Sequence, residues 1–214
     1  MKKIAALILS LFVAGTVYAK GAYSGDVQLR SGFGIGGLVF RQGDFETGTP
    51  VGEFDFGLTT THLFDLNSVL SLGFTFQFDY GIGASDIYNK KLSTGESKTE
   101  RMGAAATAGM LLGPTFAVTC GEVVRFSGTL GFSFNVVSTI NDSDFAYIGA
   151  APGVGFDINA KFVPNKNVSP VIGYNMCFGF TDRVYNADGA YNVTTDGFVT
   201  TITGAFYAGI SWNW

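Results

Sequence analysis

Residues 69–80, VLSLGFTFQFDY, alternate without a break, placing Leu70, Leu72, Phe74, Phe76, Phe78 and Tyr80 on one parity and Ser71, Gly73, Thr75, Gln77 and Asp79 on the other. A period of two over this length is a β-strand with one apolar and one polar face. The pattern recurs along the chain. Val27, Leu29, Phe33, Ile35 and Val39 stand against Asp26, Gln28, Arg30, Gly32, Gly34 and Gly36, and Phe54, Phe56, Leu58 and Thr60 against Glu53, Asp55, Gly57 and Thr59. Similar alternation runs through 124–136, 148–162, 168–181 and 198–214. Residues 102–118, MGAAATAGMLLGPTFAV, are nearly all small or apolar and could be read as a buried helix. Gly103, Gly109 and the Gly113-Pro114 pair count against that. Taken as a strand, this segment is the fourth of eight.

The position of the charges decides what the apolar faces touch. The chain carries 30 glycines and 21 phenylalanines but only 14% charged residues. Sixteen charges fall in the longer connections 41–50, 81–101, 137–144 and 182–196, three in the short ones near 64–68, 119–122 and 163–167, and eight on polar strand faces. None falls on an apolar face. A surface in contact with hydrocarbon must obey that rule, since Lys or Arg there costs about 2–4 kcal/mol at mid-bilayer. In a soluble sandwich the outward face would be rich in charge. Here the polar parity is mostly Gly, Ser, Thr and Asn, which suits the narrow interior of a barrel.

The first residues, MKKIAALILSLFVAGTVYAK, combine two lysines, an apolar run from Ile4 to Ala14 and a small-residue site, and are expected to be a signal peptide, residues 1–19, cut after Ala19. The run is too short to remain as a membrane span. Residues 20–214 then form one domain. Loss of Lys2 and Lys3 takes the net charge from −4 to −6, with no basic patch for nucleic acid. Cys120 and Cys177 match no metal motif. With Cys120 at a turn and Cys177 about nine residues up strand seven, they are expected to be too far apart for a disulfide.

Gly32, Gly34 and Gly37 carry the spacing G-x-G-x-x-G. A dinucleotide cradle needs a helix after the glycines, with its N-terminal NH groups on the pyrophosphate. RQGDFETGTP follows instead and cannot open one. Gly32, Gly34 and Gly36 share a parity with Asp26, Gln28 and Arg30, so they are expected to line a lumen.

The ending FYAGISWNW, with a terminal aromatic and apolar residues at alternate positions upstream, resembles the C-terminal strand of outer-membrane β-barrels. With the leader and eight strands, the chain resembles the small OmpX, OmpA-barrel and OmpW class along the whole of residues 20–214. The resemblance implies an all-β fold, an eight-stranded antiparallel up-and-down transmembrane β-barrel in the outer membrane of a diderm bacterium, with both termini periplasmic. It also implies that the barrel assembly machinery reads Phe206, Ile210, Trp212 and Trp214. A structural reading of Trp212 and Trp214 as interfacial aromatics is equally open.

For chemistry, His62 is the one histidine, and it falls on the outward parity beside Leu58 and Thr60, away from any carboxylate. No serine, histidine and acid converge, so no catalytic residue, cofactor or metal is expected. The inward charges Asp26, Arg30, Glu53, Asp55, Asp79, Arg125, Asp157 and Lys161 include both signs and should form a network across the lumen. Glu53, Asp55 and Asp79 lie on adjacent strands with no base among them, an acidic cluster that would attract a cation at the mouth of a small pore. Three roles follow: a non-enzymatic barrel with a structural or surface-interaction role, its partners lipids or an extracellular ligand; a narrow pore for small or apolar solutes, as in the OmpW branch; or a secreted lipocalin-like binder with its faces inverted.

Overall fold

The computed structural model describes residues 23–140, 146–164, 166–186 and 191–214. The eight expected strands form as β1 (Tyr23–Gln42), β2 (Phe45–Asp65), β3 (Leu70–Lys91), β4 (Ser97–Cys120), β5 (Val124–Ile140), β6 (Ala146–Phe162), β7 (Val168–Asn186) and β8 (Tyr191–Asn213). Each pairs antiparallel with its sequence neighbours, and β1 pairs with β8 to close the barrel. Following the pairing once round from Val27 through Thr60, Phe76, Leu112, Phe132, Val154, Phe178 and Ile202 returns to β1 at Gly37, ten residues further on. That stagger tilts the strands, and with eight of them the interior is just wide enough for side chains.

The ambiguous fourth segment is a strand of 24 residues. Pro114 faces outward there, and the β4–β5 pairing skips Gly113 and Pro114 because proline has no NH to give. A Cβ on Gly113 would run into the backbone at Leu130 and Gly131, so the two strands come closest where neither carries a side chain.

The apolar parity faces out. Phe33 is 77% exposed, Leu130 66% and Phe206 71%, with Phe78, Leu112, Phe132, Val154 and Ile172 also on the surface. The inward parity holds Gln28, Gln77, Ser133, Asn135, Asp157 and Thr201, all buried. These faces are opposite to those of a lipocalin-like binder, and that reading is set aside.

One expectation is corrected at the end remote from the short turns. Residues 41–50 and 81–101 are paired strand, not irregular loops: β1 runs to Gln42 and β2 resumes at Phe45, while β3 runs to Lys91 and β4 resumes at Ser97. Gly43 takes a positive φ of 57° in the first of these turns. Residues 141–145 and 187–190, within the other two connections, lie outside the described residues.

Strands of 17–24 residues exceed the ~9–11 needed to cross a bilayer. Where they overrun it, the faces exchange polarity. Outward residues turn from Phe54 and Ile82 to Glu46, Asp86 and Arg41, while inward residues turn from Arg30 and Asp79 to Leu38, Phe40, Val51, Ala105, Val137, Val184 and Val199, which pack as one apolar cluster. Inside the bilayer the protein is apolar out and polar in; beyond it, the barrel has the core of a soluble protein.

Candidate functional site: the closed lumen

Alternation on β1 turns Arg30 into the barrel, and the stagger brings residues of three other strands to it. The Arg30 guanidinium donates from Nη2 to Asp79 Oδ1 on β3 at 2.5 Å and from Nη1 to Asp157 Oδ2 on β6 at 3.0 Å. Its Cζ lies 4.1 Å from the ring centre of Tyr207 on β8, a cation–π contact in a dry site. Tyr207 OH donates to Asp157 Oδ2 at 2.7 Å. Asp79 also accepts from Gln77 Nε2 and, at 2.8 Å, from Asn175 Nδ2 on β7. Asn159 Nδ2 donates to Asp157 Oδ1 at 2.7 Å. Two carboxylates and one guanidinium are thereby paired across the channel, as buried charges require, while Arg30 Nε, Gln77 Oε1 and Asn159 Oδ1 are buried without a hydrogen-bond partner.

A second layer closes the short-turn end. Lys161 Nζ pairs with Asp26 and donates to Asn213 Oδ1 at 3.1 Å, while Gln28 Nε2 donates to Asp26 Oδ1 at 3.0 Å. Arg125 Nε donates to Thr119 Oγ1 at 3.0 Å. Above the Arg30 layer, Thr107 Oγ1 donates to Glu53 Oε2 at 2.5 Å. Higher still sits the apolar cluster around Leu38 and Phe40.

The expected acidic trio is thus divided. Asp79 has a base, Arg30, reached across β2. Glu53 and Asp55, 6% and 5% exposed, have no ion-pair partner within 4 Å among the described residues. No group of three or more His, Cys, Asp or Glu among the described residues could hold a metal ion.

The lumen glycines have specific occupants. A Cβ on Gly34, Gly36 or Gly81 would meet the Glu53 side chain or Thr107; on Gly57, the Arg30 and Asp79 side chains; on Gly173, the Tyr207 ring; on Gly149, Leu38. At Gly32 a Cβ would strike the β8 backbone at Phe206. The glycine spacing of β1 therefore seats a carboxylate and a neighbouring strand.

Outside, Tyr23 OH and His62 Nδ1 are hydrogen-bonded, and the His62 ring stacks on Phe74 at 4.7 Å and 19°. Trp214 meets the same histidine edge-on at 6.4 Å. Trp214 N donates to Gly25 O at 3.0 Å and Gly25 N to Trp214 O at 3.1 Å, so the final residue zips the closing seam. Phe206, Ile210 and Trp212 on β8 face outward, and Trp214, just past its end, is exposed as well. Both cysteines are free, Cys120 exposed at a turn and Cys177 buried in the lumen.

A closed, polar-cored, apolar-skinned ring of eight strands is the architecture of small outer-membrane β-barrels. Among solved structures the chain is similar to the outer-membrane protein OprG from Pseudomonas aeruginosa, with a TM-score of 0.57 and 12% identity over 91% of this chain and 98% of that one. Neisserial surface protein A follows with a TM-score of 0.49 and 13% identity over 89% and 98%, and the outer-membrane protease OmpT from Escherichia coli with 0.48 and 8% over 92% and 97%. The likeness is one of fold. No protein-family model and no curated protein matches the chain.

Proposed function

We propose that this protein is a non-enzymatic outer-membrane barrel whose lumen does not conduct and whose role is structural or lies in interactions at the hairpin end. The observation that carries this reading is the Arg30 layer: one guanidinium held by Asp79 and Asp157, with an apolar cluster above it and the Lys161–Asp26 pair below. Ions would have to break buried charge pairs and then cross a dry plug, each step costing several kcal/mol. Among the described residues His62 is held by Tyr23, Phe74 and Trp214 rather than by a serine and an acid. Residues 1–19 are a secretion signal in this reading. The termini lie on the periplasmic side, and the assembly machinery meets the C-terminal segment through Phe206, Ile210, Trp212 and Trp214.

Single-channel recording of refolded residues 20–214 in planar bilayers tests the proposal. No conductance steps are expected. Reproducible steps would install the narrow-pore reading in its place.

A further inference from the structure

The short-turn end of the barrel carries a cavity of about 220 Å³. Ser24 of β1, Arg125 of β5, Asn213 and Trp214 at the end of β8, and Lys166 and Asn167 of the β6–β7 turn border it. Pairing sets Arg125 directly opposite Lys161, two like charges side by side. Lys161 is neutralised by Asp26, whose other oxygen accepts from Gln28 Nε2. Arg125 has no such match. Its Nε donates to Thr119 Oγ1, and neither its guanidinium nor Lys166 Nζ forms an ion pair among the described residues. Asp65 and Glu122, the acids of the other short turns, do not border the cavity. The carboxyl end of Trp214 does; its O accepts from Gly25 N at 3.1 Å. Two cations therefore stand against one carboxylate, and the cavity keeps a net positive charge.

The wall that carries Lys166 is fixed. Asn213 Nδ2 donates to Lys166 O at 2.5 Å and to Ser169 Oγ at 2.8 Å, and Asn213 N donates to Asn167 O at 2.9 Å. Val163, in the same turn, sits at a φ of 47°, which a β-branched residue adopts only when its surroundings hold it there. Val163 N donates to Val123 O at 2.7 Å, and Val163 O accepts from Lys166 N and from Ser169 Oγ, both at 3.0 Å. A ligand would find this side of the cavity already shaped. Ser24, on β1, has a hydroxyl buried without a hydrogen-bond partner, an arrangement that costs free energy until an acceptor is supplied.

We propose that this mouth binds a phosphate group. A guanidinium, an ammonium and a serine hydroxyl are three donors of different kinds, and a tetrahedral oxyanion has enough oxygens to accept from all of them. A planar carboxylate, with two oxygens, matches the set less well. The cavity is smaller than the ~300–1,000 Å³ of ordinary small-molecule sites, which fits a compact anion and not a saccharide or a bulky apolar solute. A phospholipid headgroup and a soluble phosphate ester present this same chemistry. The inference goes beyond the role proposed above and holds whether or not the lumen conducts.

Binding is measured calorimetrically on refolded residues 20–214 in a maltoside detergent, with inorganic phosphate, glycerol 3-phosphate and short-chain phosphatidic acid as probes. At least one should bind saturably, its affinity falling as salt rises. Tighter binding of phosphatidic acid than of glycerol 3-phosphate identifies a lipid headgroup as the source; equal or weaker binding identifies a soluble phosphate. Arg125→Gln combined with Lys166→Gln should weaken the tightest probe by about fivefold or more. Heat-dependent gel mobility checks that this double variant still forms a barrel. If it does not, Lys166→Gln alone, on an exposed turn, is measured instead and should weaken binding at least about twofold. No saturable binding by any of the three probes, or a smaller loss in the variant measured, overturns the inference.

Discussion

Arg30 on β1 and Asp157 on β6 are 127 residues apart in the chain and 3.0 Å apart in the lumen. Their contact spans the barrel and cannot form until the ring has closed, so it belongs to the last stage of assembly. Arg30→Ala would leave Asp79 and Asp157 buried without a base, at a cost of about 3–5 kcal/mol. The temperature at which the fast-migrating folded band disappears from gels should fall markedly. Arg30→Lys should recover only part of the loss, because an ammonium cannot serve both carboxylates and the Tyr207 face with the geometry of a guanidinium.

Asp55 supplies a prediction of the opposite sign. Its carboxylate is buried with no ion-pair partner among the described residues, near Glu53 and Asp79. Asp55→Asn keeps the shape and removes the charge, so the barrel should become more heat-resistant, by about 1 kcal/mol or more. A lower transition temperature would mean that Asp55 has a partner that the geometry does not reveal.

Inward and outward glycines should respond differently to the same change. At Gly173 a side chain would collide with the Tyr207 ring, whereas at Gly128 nothing lies within 4 Å. Gly173→Val is expected to cost about 1–3 kcal/mol through overpacking. Gly128→Val, facing the membrane, should be nearly neutral in the same melting assay.

The exchange of polarity beyond the bilayer is testable by charge insertion. Phe132→Lys places a charge on the membrane face and should cost about 2–4 kcal/mol. Tyr88→Lys, outward on the extended part of β3, should be tolerated. Leu38→Ala, inward at the same end, should cost about 2–5 kcal/mol as a core truncation. Refolding yield and urea midpoints of the three variants check the ordering.

Much of this was legible in the chain, because period-two alternation gives every strand its two faces and one parity excludes charge. It placed Arg30, Asp79 and Asp157 inside. It could not say that they meet, since partners on β1, β3 and β6 are brought together by the stagger of the closed ring, which no local pattern encodes. Tyr207 was readable as inward, but its place on the Arg30 guanidinium was not. The apolar plug was missed for another reason: 41–50 read as a loop, so Leu38, Phe40 and Val51 were never assigned a face. The signal was present, since past Gly36 the inward parity becomes Leu38 and Phe40 while the outward one reaches Arg41.

The two native cysteines offer the most direct test of the closed lumen. Cys120 is exposed at a turn, and Cys177 is buried between the Arg30 layer and the plug. Folded protein in mild detergent is treated with a charged, water-soluble thiol reagent, and the sites are counted by mass spectrometry before and after boiling. A sealed barrel gives modification at Cys120 alone until heat unfolds it, when Cys177 reacts as well. Rapid modification of Cys177 in the folded protein would mean that water and ions already pass the layer built on Arg30, and that the lumen is open.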